Sequence, residues 1–171
     1  TEKKIRKKPK PASEIQAEEE CFECNNFFEC GPKKHIVFTD GSCHPNNRSP
    51  QSEGGFGAIF VCGPAKGIKI YGKLSKKKTP ASNIRAEGMA LIRVLRYLED
   101  NTEWDECEII LDCEFWLKMI HLYMPAWSTS DFQAKANSDL TKKMFDMWCS
   151  LTAKKTVKLT HMNSHNKSGW K

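Results

Sequence analysis

Three acidic residues, Asp40, Glu87 and Asp112, stand where structural needs alone would not put them. Asp40 ends the β-branched and aromatic run His35-Ile36-Val37-Phe38-Thr39 and is followed by Gly41 and Ser42. An Asp-Gly pair commonly makes a two-residue hairpin turn. Such a turn needs a strand to begin at once, and a polar stretch with Pro, Asn and Ser runs to Glu53 instead, so the simple hairpin fails. Glu87 lies on a stripe of Ile84, Leu91, Leu95 and Leu98, which recur at helical spacing and mark a buried face. Burying an unpaired carboxylate costs on the order of several kcal/mol. A capping box needs Ser, Thr, Asp or Asn three residues before the glutamate, and Ile84 stands there. Glu87 therefore needs a partner, and a cation would serve. Asp112 closes the apolar run Ile109-Ile110-Leu111. A lone carboxylate there is usually a loop residue, yet ligands in open α/β sheets gather beyond the carboxyl ends of strands.

Hard oxygen ligands without Cys or His suit Mg2+ or Mn2+ rather than zinc. Two such ions about 4 Å apart activate water and stabilise the leaving oxygen of a phosphodiester. The three carboxylates converge if the strands ending at Asp40 and Asp112 are parallel neighbours and the helix carrying Glu87 packs on them.

The sequence provides elements for this. After the first strand, residues 56–62 and 66–74 read as strands joined by Gly63-Pro64-Ala65. Residues 83–98 have helical periodicity, 107–111 read as a strand, 114–123 as a short helix, 125–137 as a loop, 139–151 as a helix and 156–160 as a last strand. Hairpin-like strands followed by strand–helix alternation imply an α/β fold, a mixed five-stranded sheet flanked by helices.

Composition narrows the setting. Lys and Arg number 27 against 21 Asp and Glu, a net charge of +6, which suits a polyanionic partner without demanding one. No apolar run approaches the roughly 18 residues of a membrane span, and no apolar stretch follows the N-terminal lysines as in a secretory signal. Cys62, Cys107, Cys113 and Cys149 sit singly in apolar or amphipathic segments, as free thiols do. These features point to a reducing, intracellular setting and not a secreted protein.

Residues 1–33 form a charged extension expected to be a mobile tail, and residues 34–171 the folded domain. Lys3, Lys4, Arg6, Lys7, Lys8 and Lys10 make a basic block, reversed by Glu14, Glu18, Glu19 and Glu20. The block is either a solvated run or a basic arm for nucleic acid or nuclear import. Cys21, Cys24, Cys30 and His35 have roughly the spacing of a small zinc knuckle. The alternative is that His35 simply opens a strand while Phe22, Phe27 and Phe28 pack on the domain. The chain starts at Thr1 and stops at Lys171 in mid-motif, as a fragment of a longer protein would.

Several segments carry a family likeness. Thr39-Asp40-Gly41-Ser42-Cys43 and Gly54-Gly55-Phe56-Gly57-Ala58-Ile59 are followed by Asn83-Ile84-Arg85-Ala86-Glu87 with Ala90 and Leu91. Then come Leu111-Asp112-Cys113-Glu114-Phe115-Trp116, Asn137-Ser138-Asp139-Leu140, and the run from Val157 to His165. Together and in this order they resemble type-one ribonuclease H. Each motif alone is weak; five in register are specific.

The resemblance implies an endonuclease that hydrolyses the RNA strand of RNA–DNA hybrids, working as a monomeric domain. It implies that Asp40, Glu87 and Asp112 hold two magnesium ions and that His165, on a flexible loop, assists proton transfer or product release. Ser42, Cys43, Asn46 and Asn83 would face the hybrid, read by shape and 2′-hydroxyls. Ser82 and Asn137 would form a pocket for a DNA phosphate, and Trp127 would pack on the DNA sugar face or serve only in packing. Other readings are a non-catalytic nucleic-acid-binding module and the ribonuclease H domain of a larger polypeptide such as a reverse transcriptase. There are three departures from the pattern. The family's fourth carboxylate would fall after Gly169-Trp170-Lys171, beyond the chain, and Ile84 replaces a polar residue. The stretch 119–125 lacks the lysines of a basic protrusion, so affinity would lean on Lys76, Lys77, Lys78, Lys142 and Lys143 or on the N-terminal arm.

Overall fold

The structure, a computed structural model, describes residues 31–45, 50–75 and 79–162. The expected zinc ligands Cys21, Cys24 and Cys30, the N-terminal tail, Asn46, Lys76 to Lys78 and His165 lie outside the described residues.

Strand β1 (Lys34–His44), β2 (Glu53–Cys62) and β3 (Lys69–Lys73) form an antiparallel meander. β4 (Glu106–Leu111) adds in parallel to β1, and β5 (Thr156–His161) in parallel to β4, giving the sheet order β3-β2-β1-β4-β5. β4 has a strand on each side and is buried from Cys107 to Leu111, with Glu108 the one charged residue among them, accepting from the Thr160 hydroxyl at 2.7 Å. Helix α1 (Asn83–Asp100) crosses from β3 to β4, and α4 (Ser138–Thr152) packs along it. Between β4 and α4 lie α2 (Glu114–Lys118), a π-helical turn (Met119–Tyr123), a 3-10 turn (Met124–Ala126) and α3 (Thr129–Ala134). This is the expected mixed five-stranded sheet with helices.

Alternation along the strands divides the core. Val37, Phe60 and Ile109 point toward the helices and join Leu91, Leu95, Leu98, Trp104, Trp116 and Met144 in the main cluster. Ile36, Val61, Cys62 and Ile110 make a smaller cluster from the intervening positions. No helix among the described residues is long and apolar enough to cross a membrane.

Three local expectations need correction. β1 does not end at Asp40 but runs on through His44, paired with β2 as far as His44 opposite Glu53. Backbone pairing with Gly54, Gly55 and Gly57 sustains the strand although its side chains turn polar. The segment 125–137 is not all loop. Ser128 and Asp131 form a reciprocal capping box that starts α3, satisfying two N–H groups at once. The third strand covers only Lys69–Lys73, because residues 63–67 turn, with Gly63 and Gly67 at φ 93° and 91°.

Candidate active site

The sheet register brings the first two carboxylates together. Phe38 lies opposite Ile110 in the parallel β1–β4 pair, so Asp40 and Asp112 each stand two residues further along neighbouring strands. The Thr39 hydroxyl donates to the Ile110 carbonyl at 3.3 Å and ties the strands just before the pair. Beyond Phe38, β1 continues against β2 alone, so Asp40 sits at the carboxyl end of the parallel ladder while still in mid-strand. Asp40 is exposed and Asp112 half-buried.

Helix α1 supplies the third. The Ser82 hydroxyl caps it by accepting from the Arg85 N–H at 3.1 Å, which fixes the start of the helix and the facing of its first turn. Gly41 lets that turn lie on β1: a Cβ at Gly41 would meet the carbonyl carbon of Ala86 at 2.5 Å and the nitrogen of Glu87 at 2.6 Å. From the other side Trp116 of α2 donates its indole N–H to the Ile84 carbonyl at 2.8 Å, and its ring lies on Gly88. α1 is thus held between β1 and α2 at the level of Glu87, which is 7% exposed. Asp40, Glu87 and Asp112 each offer a carboxylate oxygen, and these oxygens lie within 4.8 Å of one another.

Three carboxylates this close repel one another and favour a divalent cation among them. Cys113 registers the local field. Burial pushes its thiol up, a hydrogen bond from the Phe115 N–H pulls it down, and Glu87, Asp112 and Glu114 push it up further. The donor set, hard carboxylate oxygen with no imidazole or thiolate, fits magnesium or manganese.

The other expected residues fall around this cluster unevenly. Ser42 and Asn83 are exposed, while Cys43 is buried with its thiol donating to the Pro45 carbonyl at 3.6 Å. Asn137 takes a left-handed conformation at the start of α4, and its side-chain oxygen accepts from Arg85 Nη1 at 3.0 Å. Ser82 and Asn137 are thus both tied to Arg85. Trp127 is half-buried, edge-on to Phe132, with the Lys135 ammonium 5.3 Å from its ring centroid. His35 is not on the surface but in the core, between Phe60 at 5.0 Å and Trp104 at 5.8 Å.

Sequence reasoning missed Arg85. Its guanidinium is buried and grips Asp139 through both nitrogens, Nη1 at 3.0 Å and Nη2 at 2.8 Å. The grip holds the Asp139 carboxyl below the usual carboxylate range. This fork joins the first turn of α1 to the first turn of α4, two residues from Glu87. Periodicity did not mark it, since Arg85 stands off the stripe of Ile84, Leu91, Leu95 and Leu98 and its partner comes from another element.

The RNase H family model matches residues 32–170. The ribonuclease H of Pseudomonas fluorescens strain Pf-5 is 29% identical over 135 residues, covering 79% of this chain and 75% of that protein. RNase H1 from the halophilic archaeon Halobacterium salinarum NRC-1 has a similar fold, with a TM-score of 0.54 at 21% identity, covering 78% of this chain and 89% of that one. LC11-RNase H1, solved in complex with an RNA/DNA hybrid, superposes with a TM-score of 0.53 at 15% identity, covering 79% and 89%. A family match over most of the chain thus joins a fold reached independently from the register of its strands: the chain belongs to the ribonuclease H family of nucleases.

Proposed function

We propose that this protein hydrolyses the RNA strand of RNA–DNA hybrids with two divalent ions, magnesium or manganese, held by Asp40, Glu87 and Asp112. The convergence of the three carboxylates at the end of a parallel ladder carries the reading. Ions bound there supply Lewis-acid chemistry, making water more acidic and neutralising charge on the scissile phosphate.

The chain's own residues bind and orient the substrate. Ser42 and Asn83 are exposed beside the carboxylates and meet the hybrid in its shallow groove. Cys43 contributes through its backbone, since its thiol is turned inward. Ser82 has its hydroxyl hydrogen left to donate after capping α1, and Asn137 its amide N–H groups, so the two suit a phosphate of the DNA strand. Trp127 stacks on the DNA sugar face. Asn46 and His165, outside the described residues, are assigned substrate contact and help with proton transfer or product release. The buried free thiols of Cys43, Cys62 and Cys107 support a reducing, intracellular setting, with the domain acting as a monomer.

Glu87→Gln tests the reading. It keeps the shape of the side chain and removes its charge, so hybrid cleavage should fall by more than roughly 100-fold, the upper range for losing even an outer partner of a metal site. The thermal unfolding midpoint should survive or rise, because a repulsive charge is gone. A variant that unfolds but keeps normal activity per folded molecule would make Glu87 structural and defeat the proposal.

A further inference from the structure

Glu87 and Asp112 come from different elements, α1 and the junction of β4 with α2. The spacing of their carboxylates therefore depends on what fixes α1 against α2, and one side chain spans that gap. Trp116 lies four residues after Asp112 in α2 and is 1% exposed. Its indole N–H donates at 2.8 Å to the carbonyl of Ile84, three residues before Glu87. Its ring lies on Gly88, the residue directly after Glu87. A Cβ at Gly88 would meet Cζ2 of the indole at 2.8 Å, Cε2 at 2.9 Å and Nε1 at 3.1 Å. Within a helix the Ile84 carbonyl accepts from the Gly88 N–H, and its second lone pair is left for the indole. A rigid ring is thus docked on the turn of α1 that encloses Glu87.

The residues around the contact agree with this. Glycine inside a helix is less favourable than alanine, yet Gly88 is buried in the second turn of α1. The indole occupies the space that a side chain there would need. Trp116 belongs to the main core cluster, so its ring cannot swing aside. On the opposite flank Gly41 lets α1 rest on β1, which sets Glu87 against Asp40. Gly41 and Trp116 therefore govern two different separations within the carboxylate cluster.

We infer that Trp116 is a positioning residue, which holds Glu87 at a fixed distance from Asp112 and so gives the cluster its preference for magnesium over larger divalent ions. Ion size supplies the link. Magnesium demands near-ideal octahedral geometry with oxygens at about 2.0–2.1 Å, whereas calcium accepts oxygens at about 2.3–2.6 Å in flexible arrangements. Carboxylates held rigidly favour the smaller ion, and loosening them weakens magnesium before calcium. A hydrogen bond to backbone suits this task, because it fixes direction as well as contact. The inference rests on the proposed function only for the assignment of divalent ions to Asp40, Glu87 and Asp112, and takes nothing from the hybrid.

The test measures magnesium and calcium binding to the full chain by titration calorimetry without nucleic acid. Glu87→Gln identifies the heat that belongs to the cluster. Trp116→Phe keeps a buried ring and removes the N–H, while Gly88→Ala leaves Trp116 intact and pushes its ring off the helix. Each should lower magnesium affinity by roughly 10-fold, the lower range for losing an outer partner of a metal site, and calcium affinity by less. The ratio of the two affinities should therefore fall. Thermal midpoints report folding separately, since a role in packing alone would lower the midpoint and leave the ratio unchanged. An unchanged ratio in either folded variant would overturn this inference and leave the metal assignment standing. If Trp116→Phe does not fold, Gly88→Ala, which favours the helix, decides alone. An unaltered chain that binds neither ion at the cluster would remove the ions from the proposed function, and the inference with them.

Discussion

At the residue scale, two buried ionisable side chains show what a helical or strand pattern can and cannot reveal. Glu87 was readable because its charge contradicts the apolar stripe around it, and the structure sets that charge beside Asp40 and Asp112. His35 had the opposite history. Its place five residues after Cys30 suggested a metal ligand, and in the structure Phe60 and Trp104 enclose it at the start of β1. Burial pushes its pKa down from 6.5 to about 4, with Lys155 adding to the fall and a hydrogen bond to the Cys62 backbone opposing it. Between those two values the unfolded chain takes up a proton that the native chain refuses, so native stability falls as pH drops through that window. A shift of this size corresponds to roughly 3 kcal/mol. His35→Phe keeps an aromatic ring between Phe60 and Trp104 and removes the titration. Its denaturant midpoint should therefore change less between pH 6.5 and 4 than that of the unaltered protein. Parallel pH profiles for the two would contradict this account of His35.

Among the elements, the close approach of α1 to β1 makes the site possible, and Gly41 permits it. Asp40-Gly41 was readable as something other than a turn, but the reason for the glycine was not, because the atoms it makes room for belong to Ala86 and Glu87. Gly41→Ala would place a methyl carbon 2.5 Å from backbone that cannot swing aside, so α1 must shift. A destabilisation of about 2 kcal/mol is expected from such overpacking. The displaced Glu87 should also raise the magnesium concentration needed for half-maximal cleavage. An unchanged thermal midpoint with an unchanged magnesium requirement would show that the contact does not position the site. Other elements escaped sequence reading for related reasons. Polarity hid the second half of β1, whose pairing is made by backbone alone. The span of α3 is only six residues, too short for periodicity, and its Ser128–Asp131 cap was the one local sign of it. Arg85 and Asp139 are 54 residues apart in sequence, so nothing local announces their ion pair.

For the whole molecule, a mixed sheet flanked by helices could be anticipated from strand patterning and chain order, while the sheet order, with β1 and β4 as the parallel neighbours on which the meeting of the carboxylates depends, came only with the structure. The distribution of charge could not be anticipated either. The net +6 says that a polyanion would be tolerated, but not that Arg93 and Lys143 line one groove between α1 and α4. Lys143 was expected to matter, while Arg93 was not singled out, because the two come from different elements that meet only in the fold. The central claim is that this arrangement cuts the RNA strand of a hybrid. The direct measurement is incubation of the full chain with a hybrid labelled on both strands, with magnesium and then with a chelator, beside single-stranded and duplex RNA. The account predicts fragments from the RNA label of the hybrid alone, appearing with magnesium and absent with the chelator. Cutting that ignores the chelator, or that falls equally on DNA or on duplex RNA, would contradict it, as would intact hybrid in the presence of magnesium.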